Sequence, residues 1–317
     1  MNYQYIIIAF ILTFVFTILL NAVFRFLGKN GLIGNLFTEV RGGTPRAIGL
    51  IPFIVLSLFF LPGYNDLILV IGFFAFLDDL IGRRKIGNLP LEWGQLSRGI
   101  GMIAVIILGF PIMGYSAILV ALLVQPVNIS DMQPGSTCII VILMSLFTIL
   151  AMIMLGIAPI AEIPVFYTPL ILLVVCLAYY PLDFAGKIML GEVGNHSFAV
   201  ALGISFYMLG GFWATLILFA VTTVLIAFIR RNSLRIFLIR KLKIKNPSFG
   251  DYIVDVLTGG GLGDALRRIF LRKNQFEVKN PVLILLGFRR LLYNPFAPSN
   301  KQYIPNKYQV NGSLERK

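Results

Sequence analysis

The sequence predicts an all-α fold, a polytopic transmembrane bundle of about nine to ten helices. Two observations support this prediction: 58% of the 317 residues are hydrophobic and only 13% are charged, and the apolar residues form long blocks rather than one stripe per helix. A spanning helix needs about 20 mostly apolar residues. On this criterion the predicted spans are Tyr5–Leu27, Ala47–Pro62, Asp66–Ile81, Ser97–Ile112, Tyr115–Val127, Thr137–Ile157, Tyr167–Tyr180, Ser197–Leu209 and Phe212–Ile229.

The basic residues predict the orientation of these spans, because short cytoplasmic loops retain Lys and Arg. They cluster after the first span, between the third and fourth, and between the seventh and eighth, while the opposite loops carry none. We therefore expect an outside N-terminus, odd-numbered spans that run inward, and an active face at the cytoplasmic side of the plasma membrane. The residues in question are Arg25, Lys29, Arg41, Arg46, Arg83, Arg84, Lys85, Arg98 and Lys187.

The chain divides into a transmembrane catalytic bundle (1–229) and a basic cytoplasmic amphipathic or tail region (230–317). The sequence leaves undecided whether the second region contains a short final membrane helix. Most of the net charge of +13 comes from the second region. Its first stretch, RRNSLRIFLIRKLKIK, mixes basic and apolar residues, which favours anionic lipid headgroups over nucleic acid. The tendency of basic residues to stay on the cytoplasmic side of a membrane would explain the same charges without any binding of lipid. Further on, the glycine-rich TGGGLGDALRR predicts a short helix capped by Asp264.

Acidic residues stand at the predicted inner ends of the third, fifth and seventh spans: Asp78 with Asp79, Asp131, and Glu192. A carboxylate at the centre of a membrane helix costs roughly 2.5–3.5 kcal/mol, and several that meet repel one another unless a cation or substrate neutralises them. The sequence therefore predicts that they converge on a divalent metal bound with a phosphate-bearing substrate. The alternative for Asp78 and Asp79 is a helix end neutralised by the basic residues that follow.

Two loops next to these carboxylates carry further candidates. Asn128 lies three residues before Asp131, on the same helical face, where an amide and a carboxylate can hold a substrate and a metal, or simply form a cap and turn. Asn195 is expected to cap the following helix, whose first amides would favour a phosphate. The only histidine, His196, is either a phosphate contact or acid, or a structural residue.

The first predicted inner loop, RGGTPRAIG, places Arg41 and Arg46 on either side of a Gly-Gly turn, with Thr44 between them. Two guanidinium groups near a tight turn suit a diphosphate. Arginines in a first inner loop can equally serve only to set topology. Both interpretations stay open on these residues alone.

Taken in order, RGGTPRAIG, FLDDL, NISDMQPG and MLGEVGNHS resemble motifs of the polyprenyl-phosphate N-acetylhexosamine-1-phosphate transferases. This is the family of the bacterial phospho-MurNAc-pentapeptide translocase and of the GlcNAc-1-phosphate transferases. The similarity runs from about Arg41 to Gly203. It implies a Mg²⁺-dependent enzyme that moves a sugar 1-phosphate from a UDP-sugar to a membrane polyprenyl phosphate and releases UMP.

The resemblance also implies roles for residues. Asp78 and Asp79 match the paired aspartates, one of which takes the proton of the lipid phosphate, and Glu192 stands where relatives have a metal-binding aspartate. The family's cytoplasmic histidines are absent at NPSFGDYIVDV, and Pro134 replaces a further aspartate of the peptidoglycan enzyme. The implied site is thus catalytic Asp78, Asp79 and Asp131, substrate-binding Arg41, Thr44, Arg46, Asn128, Asn195 and His196, and metal-binding Glu192, Asp79 and Asp131.

Three other classes compete with this interpretation. An aspartate-rich membrane prenyltransferase would show two D-x-x-x-D clusters, and a transporter would carry its acids nearer the bilayer midplane. A non-catalytic relative acting as an assembly partner would tolerate Glu192 and the missing histidines. The expected partners are a UDP-sugar, a polyprenyl phosphate and the membrane, with no nucleic acid and with a homodimer left open. A cell-wall precursor of peptidoglycan or pseudomurein type is the first expectation for the pathway, and glycoprotein or surface-polysaccharide initiation the second.

Overall fold

Helices account for most of the chain in a computed structural model that describes residues 4–38, 42–82, 84–86, 92–157 and 166–297. Within these ranges the regular strands are one antiparallel pair, β1 (Phe37–Thr38) and β2 (Thr44–Pro45). The helices are α1 (Gln4–Lys29), α2 (Leu50–Phe59), α3 (Asn65–Ile81), α4 (Trp93–Met113), α5 (Ser116–Leu122), α6 (Val124–Ser130), α7 (Ser136–Met154), α8 (Tyr167–Phe184), α9 (Gly191–Ile229), α10 (Arg231–Arg240), α11 (Phe249–Thr258), α12 (Gly261–Leu271), α13 (Pro281–Leu285) and α14 (Phe288–Leu291).

Among the described residues, α1, α4, α7, α8 and α9 are long and apolar enough to cross a bilayer. Large apolar side chains face outward along them, for example Phe14, Ile107 and Leu150. Extended apolar surface of this kind matches hydrocarbon and not water. The protein is therefore an all-α membrane protein, as predicted, while the number and direction of its spans remain predictions.

Each predicted span falls on helical residues, with differences in length and continuity. The second is the ten-residue α2, and the fifth is divided into α5 and α6, which meet at Leu123. The eighth and ninth predicted spans form the two segments of α9. They are separated at Gly210 and Gly211, whose backbone is not helical. Gly211 has φ +62°, a conformation that favours glycine. This break allows the chain to change direction within one continuous apolar stretch.

After Ile229 the described helices are short. The helix within the apolar run PVLILLGF, α13, contains five residues. At 1.5 Å per residue it is far shorter than the roughly 30 Å hydrocarbon layer. A final membrane helix is therefore not formed within residues 230–297.

Backbone hydrogen bonds bring distant loops together at one end of the bundle. The Met189 N–H donates to Pro45 O (3.0 Å) and the Ile48 N–H donates to Met189 O (3.2 Å). Arg25 on α1 also donates to Gly43 O (3.1 Å) and Lys187 O (2.6 Å). The loop before α2 and the loop before α9 thus lie side by side. We call this region, with the C-terminal ends of α3 and α6 and the first turn of α4, the site end.

Candidate functional site

Asp79 lies at the centre of the site end and is fully buried. The Glu192 N–H donates to its Oδ1 and the Val193 N–H to its Oδ2, each at 3.0 Å. Arg46 Nε lies 3.1 Å from Oδ1. The phosphate was expected at the amides of a helix capped by Asn195, but the helix begins earlier, at Gly191, and two of its first amides donate to this carboxylate. Asp79 therefore joins α3, α9 and the loop before α2.

Glycines make this close approach possible. A Cβ on Gly191, which has φ +70°, would lie 2.6 Å from Asp79 Oδ2 and 2.8 Å from Ala47 Cα. A Cβ on Gly49 would lie 2.6 Å from Gly194 Cα. Gly191 and Gly194 therefore let the backbone of α9 approach Asp79 and the loop before α2.

Arg98, in the second turn of α4, connects the two other carboxylates of the network. Its Nη2 lies 3.2 Å from Asp78 Oδ2 and 2.7 Å from Glu192 Oε2. Asp78 can lie there because α4 has Gly94 beside it, where a Cβ would overlap Asp78 Oδ1. A single cationic group thus bridges carboxylates from α3 and α9.

Arg46 is the second cation of the network. Besides Asp79, it approaches Glu192, whose Oε1 lies 3.8 Å from Arg46 Nη2. Its guanidinium keeps some solvent access, with 22% of the side chain exposed, whereas the side chains of Arg98 and Glu192 are 13% and 11% exposed. Since Arg46 is the most accessible member, it is well placed to meet an incoming anion.

Asp131 adjoins this network through Asn195, whose Nδ2 donates to Asp131 Oδ2 (2.9 Å). Burial raises the pKa of Asp131 well above its usual value, the nearby Asp183 carboxylate raises it further, and the hydrogen bond from Asn195 lowers it. The expectation that Asn195 caps its helix is wrong, because α9 already begins at Gly191 and Asn195 lies in its second turn. Its Oδ1 is buried and has no hydrogen-bond partner among the described residues.

The remaining predicted residues have different positions. His196 is completely buried one turn after Glu192, with Nε2 3.2 Å from Glu192 Oε2, so it supports Glu192 from the interior. Asn128 is buried in the last turn of α6, and its carbonyl accepts from the Asp131 N–H (3.3 Å). Thr44 is buried in β2. Arg41 lies outside the described residues.

Three charged residues near the site were not predicted as parts of it. Arg98 was used only for topology, although an arginine inside a predicted span was a usable signal. Asp183, in the last turn of α8, accepts from the Gly135 N–H (3.2 Å) and the Cys138 thiol (3.4 Å). Arg230 is 2% exposed at the end of α9; burial lowers its pKa, and the Asp131 carboxylate acts against that shift.

The donor chemistry of Asp78 and Glu192 fits the expected Mg²⁺, although no three His, Cys, Asp or Glu side chains are grouped for a metal within the described ranges. Both carboxylates approach one cationic group, the Arg98 guanidinium. Mg²⁺ is commonly held by only one or two carboxylates together with substrate phosphates and water. The carboxylate oxygens of Asp78 and Glu192 are therefore suitable ligands for Mg²⁺. Both oxygens of Asp79 already accept hydrogen bonds, so Asp79 is the least available of the predicted ligands.

The sequence was compared with protein-family models and with curated proteins, and no match was found in either comparison.

Proposed function

We propose that the protein transfers an N-acetylhexosamine 1-phosphate from a UDP-sugar to a membrane polyprenyl phosphate, at the cytoplasmic face of the cell membrane. The observation that supports this most is the network of Asp78, Asp79 and Glu192 with Arg46 and Arg98. It lies at one end of an apolar bundle, where a lipid headgroup and a soluble nucleotide can both arrive. The order of the sequence motifs supports the same reaction.

In this reaction an oxygen of the lipid phosphate forms a bond to the β-phosphorus of the UDP-sugar, and the bond from that phosphorus to the bridging oxygen breaks. UMP leaves, and the product is a lipid diphosphate sugar. Such transfers depend on positioning and charge neutralisation rather than on covalent chemistry by the protein. Arg46 and Arg98 offer the planar donors that suit a diphosphate.

Asp78 is the best candidate for the group that accepts a proton from the lipid phosphate. Asp79 is held by two backbone amides and Arg46, whereas the described contact of the Asp78 carboxylate is with Arg98 alone. When Arg98 turns toward a substrate phosphate, Asp78 is free to act as a base. Mg²⁺ held by Glu192 together with substrate phosphates and water would neutralise charge on the diphosphate. Asn195 and Asn128 then lie beside Asp131 to contact the nucleotide.

A non-catalytic assembly partner is the second candidate function. The observation that favours it is that Arg46 and Arg98 already neutralise the carboxylates, as they would in a purely structural ion-pair network. The two proposals differ in one measurable respect. A catalyst must exchange these pairings for substrate and Mg²⁺, while a structural network has no need to.

The test uses the purified full-length protein in detergent with polyprenyl phosphate, Mg²⁺ and a panel of radiolabelled UDP-sugars. We expect one sugar to give labelled lipid and UMP, and Asp78→Asn to abolish both. The matched control is Asp66→Asn, which removes the same charge from the exposed, opposite end of α3 and should leave the rate unchanged. Absence of lipid product with every sugar would favour the assembly partner, and full activity of Asp78→Asn would exclude Asp78 as the base.

The same panel addresses the pathway. Use of UDP-MurNAc-peptide or a related precursor would place the enzyme in the synthesis of a peptidoglycan- or pseudomurein-like wall. Use of a simple UDP-N-acetylhexosamine would favour glycoprotein or surface-polysaccharide initiation.

A further inference from the structure

The helix α12 exposes an apolar face that no described residue covers. Leu266, Ile269 and Phe270 follow the spacing of one helical face, and Ile269 and Phe270 are 67% and 79% exposed. On α13, Val282 and Leu285 are similarly exposed. These residues lie in the basic region after the bundle, outside the five membrane-length helices. Exposed apolar faces of this size indicate an interaction surface.

The charge around this face is strongly one-sided. Among residues 263–286, the exposed ionisable side chains are four basic and one acidic, Glu277. Arg272 and Lys273 follow directly after α12. An exposed apolar face bordered by cations complements an anionic lipid surface. The four basic residues are Arg268, Arg272, Lys273 and Lys279.

A buried ion pair and a hydrogen bond fix α12 to α14. Arg290 Nη2 lies 3.5 Å from Asp264 Oδ1, and Arg267 Nε donates to Leu291 O (3.1 Å). Within α12, Arg267 Nη1 lies 2.9 Å from the same Asp264 oxygen. Burial and the neighbouring Arg290 guanidinium lower the pKa of Arg267 to about 10. Asp264, expected as a helix cap, thus pairs with arginines in the interior. These contacts turn the charged side of α12 inward and leave its apolar side outward.

Two contacts locate α12 relative to the bundle. It packs against α4. The loop that precedes α12 also accepts a hydrogen bond at Gly259 O from Gln125 on α6. Gln125 lies five residues, about 8 Å along the helix, before Ser130 at the site end of α6, so the loop that begins α12 lies close to the site end.

We propose that the exposed face of α12 lies in the headgroup region of the bilayer and binds anionic lipid. We call it the interfacial surface. It holds the α11–α14 segment against the membrane. This inference does not depend on the transferase proposal, because it requires only a bilayer with anionic lipid.

The test places an environment-sensitive fluorophore at Phe270→Cys in the full-length protein. Labelling is selective, because Cys138 and Cys176 are both buried. The protein is placed singly in nanodiscs of phosphatidylcholine, with or without phosphatidylglycerol. We expect quenching by lipids with a nitroxide near the headgroup, protection from aqueous iodide, and stronger quenching with phosphatidylglycerol. The same label at Glu277→Cys, an exposed polar position, should stay open to iodide.

Substitutions that remove the basic charges next to α12 distinguish binding of anionic lipid headgroups from apolar contact with any lipid. Each surface cation contributes about fivefold to association with anionic lipid, so Arg272→Gln with Lys273→Gln should reduce the preference for phosphatidylglycerol by about 25-fold. A label at position 270 that is open to iodide in both nanodiscs would overturn the proposal. Protection that requires two protein copies per nanodisc would overturn it too, since it would assign the surface to a second copy of the chain.

Discussion

Replacing Asp79 by Asn tests whether this carboxylate holds the site end together. Asp79 accepts from the Glu192 and Val193 amides and pairs with Arg46, so three donors point at its two oxygens. Asparagine is nearly the same size but has one acceptor oxygen and one NH₂ group. In either orientation its NH₂ group faces at least one donor. The substitution therefore loses a charge and at least one hydrogen bond without changing the packing volume.

The magnitude follows from burial. Removing one partner of a buried ion pair costs about 3–5 kcal/mol. Asp79 is fully buried, but Arg46 keeps partial solvent access and the amide oxygen retains part of the bonding, so we expect the lower end of that range, about 3 kcal/mol. Alanine, which keeps neither acceptor, should cost more than asparagine. The loss should appear as loosening of α9 from α3 and the loop before α2.

The assay is unfolding of the purified protein by increasing SDS, followed by circular dichroism, with the free energy of unfolding compared between variants. Asp66→Asn on the same helix is exposed and should change stability by less than about 0.5 kcal/mol. A free energy of unfolding for Asp79→Asn within about 1 kcal/mol of the wild-type value would refute the reasoning. Leaving a buried donor of Glu192, Val193 or Arg46 without its acceptor, and removing the charge, should cost more than that.

Three further substitutions and one metal experiment test other parts of the site and fold. Gly94→Ala should displace the Asp78 carboxylate and reduce transferase turnover by about 100-fold, whereas Gly109→Ala on the same helix, which meets side-chain carbons at 3.1 Å, should retain most of the rate. Arg98→Gln should raise the KM for the UDP-sugar, because Asp78 and Glu192 then repel the diphosphate; an unchanged KM would argue against the proposed role of Arg98. Arg290→Met should destabilise the protein by about 3–5 kcal/mol, measured by SDS unfolding, since it leaves the buried Asp255 without its cation. EDTA should abolish lipid product and added Mg²⁺ should restore it, so activity that persists in EDTA would contradict the metal proposal.

The helices could be predicted from sequence because the signals that make them are local. Long apolar blocks produced α1, α4, α7 and α8 within a few residues of the predicted spans. The adjacent Gly210 and Gly211 lie between the two predicted spans that form α9. Apolar runs in a bilayer satisfy their backbone hydrogen bonds within the helix, so composition over about 20 residues is sufficient.

The candidate site was predictable only in part. The sequence indicated that Asp78, Asp79 and Glu192 lie at one end of the bundle, and the structure brings them into one network. It did not indicate that Asp79 would take the α9 amides, which are 113 and 114 residues away. Nor did it show that Arg98 would join two carboxylates.

The sequence by itself determined that this is an apolar helical protein with a few charged residues at helix ends. Only the tertiary structure decided which charges are partners. The physical reason is that helix formation in an apolar medium depends on neighbouring residues, whereas an ion pair depends on a few ångströms of separation between elements far apart in the chain. That separation is set by close backbone contacts such as Gly49 with Gly194, which no local pattern encodes.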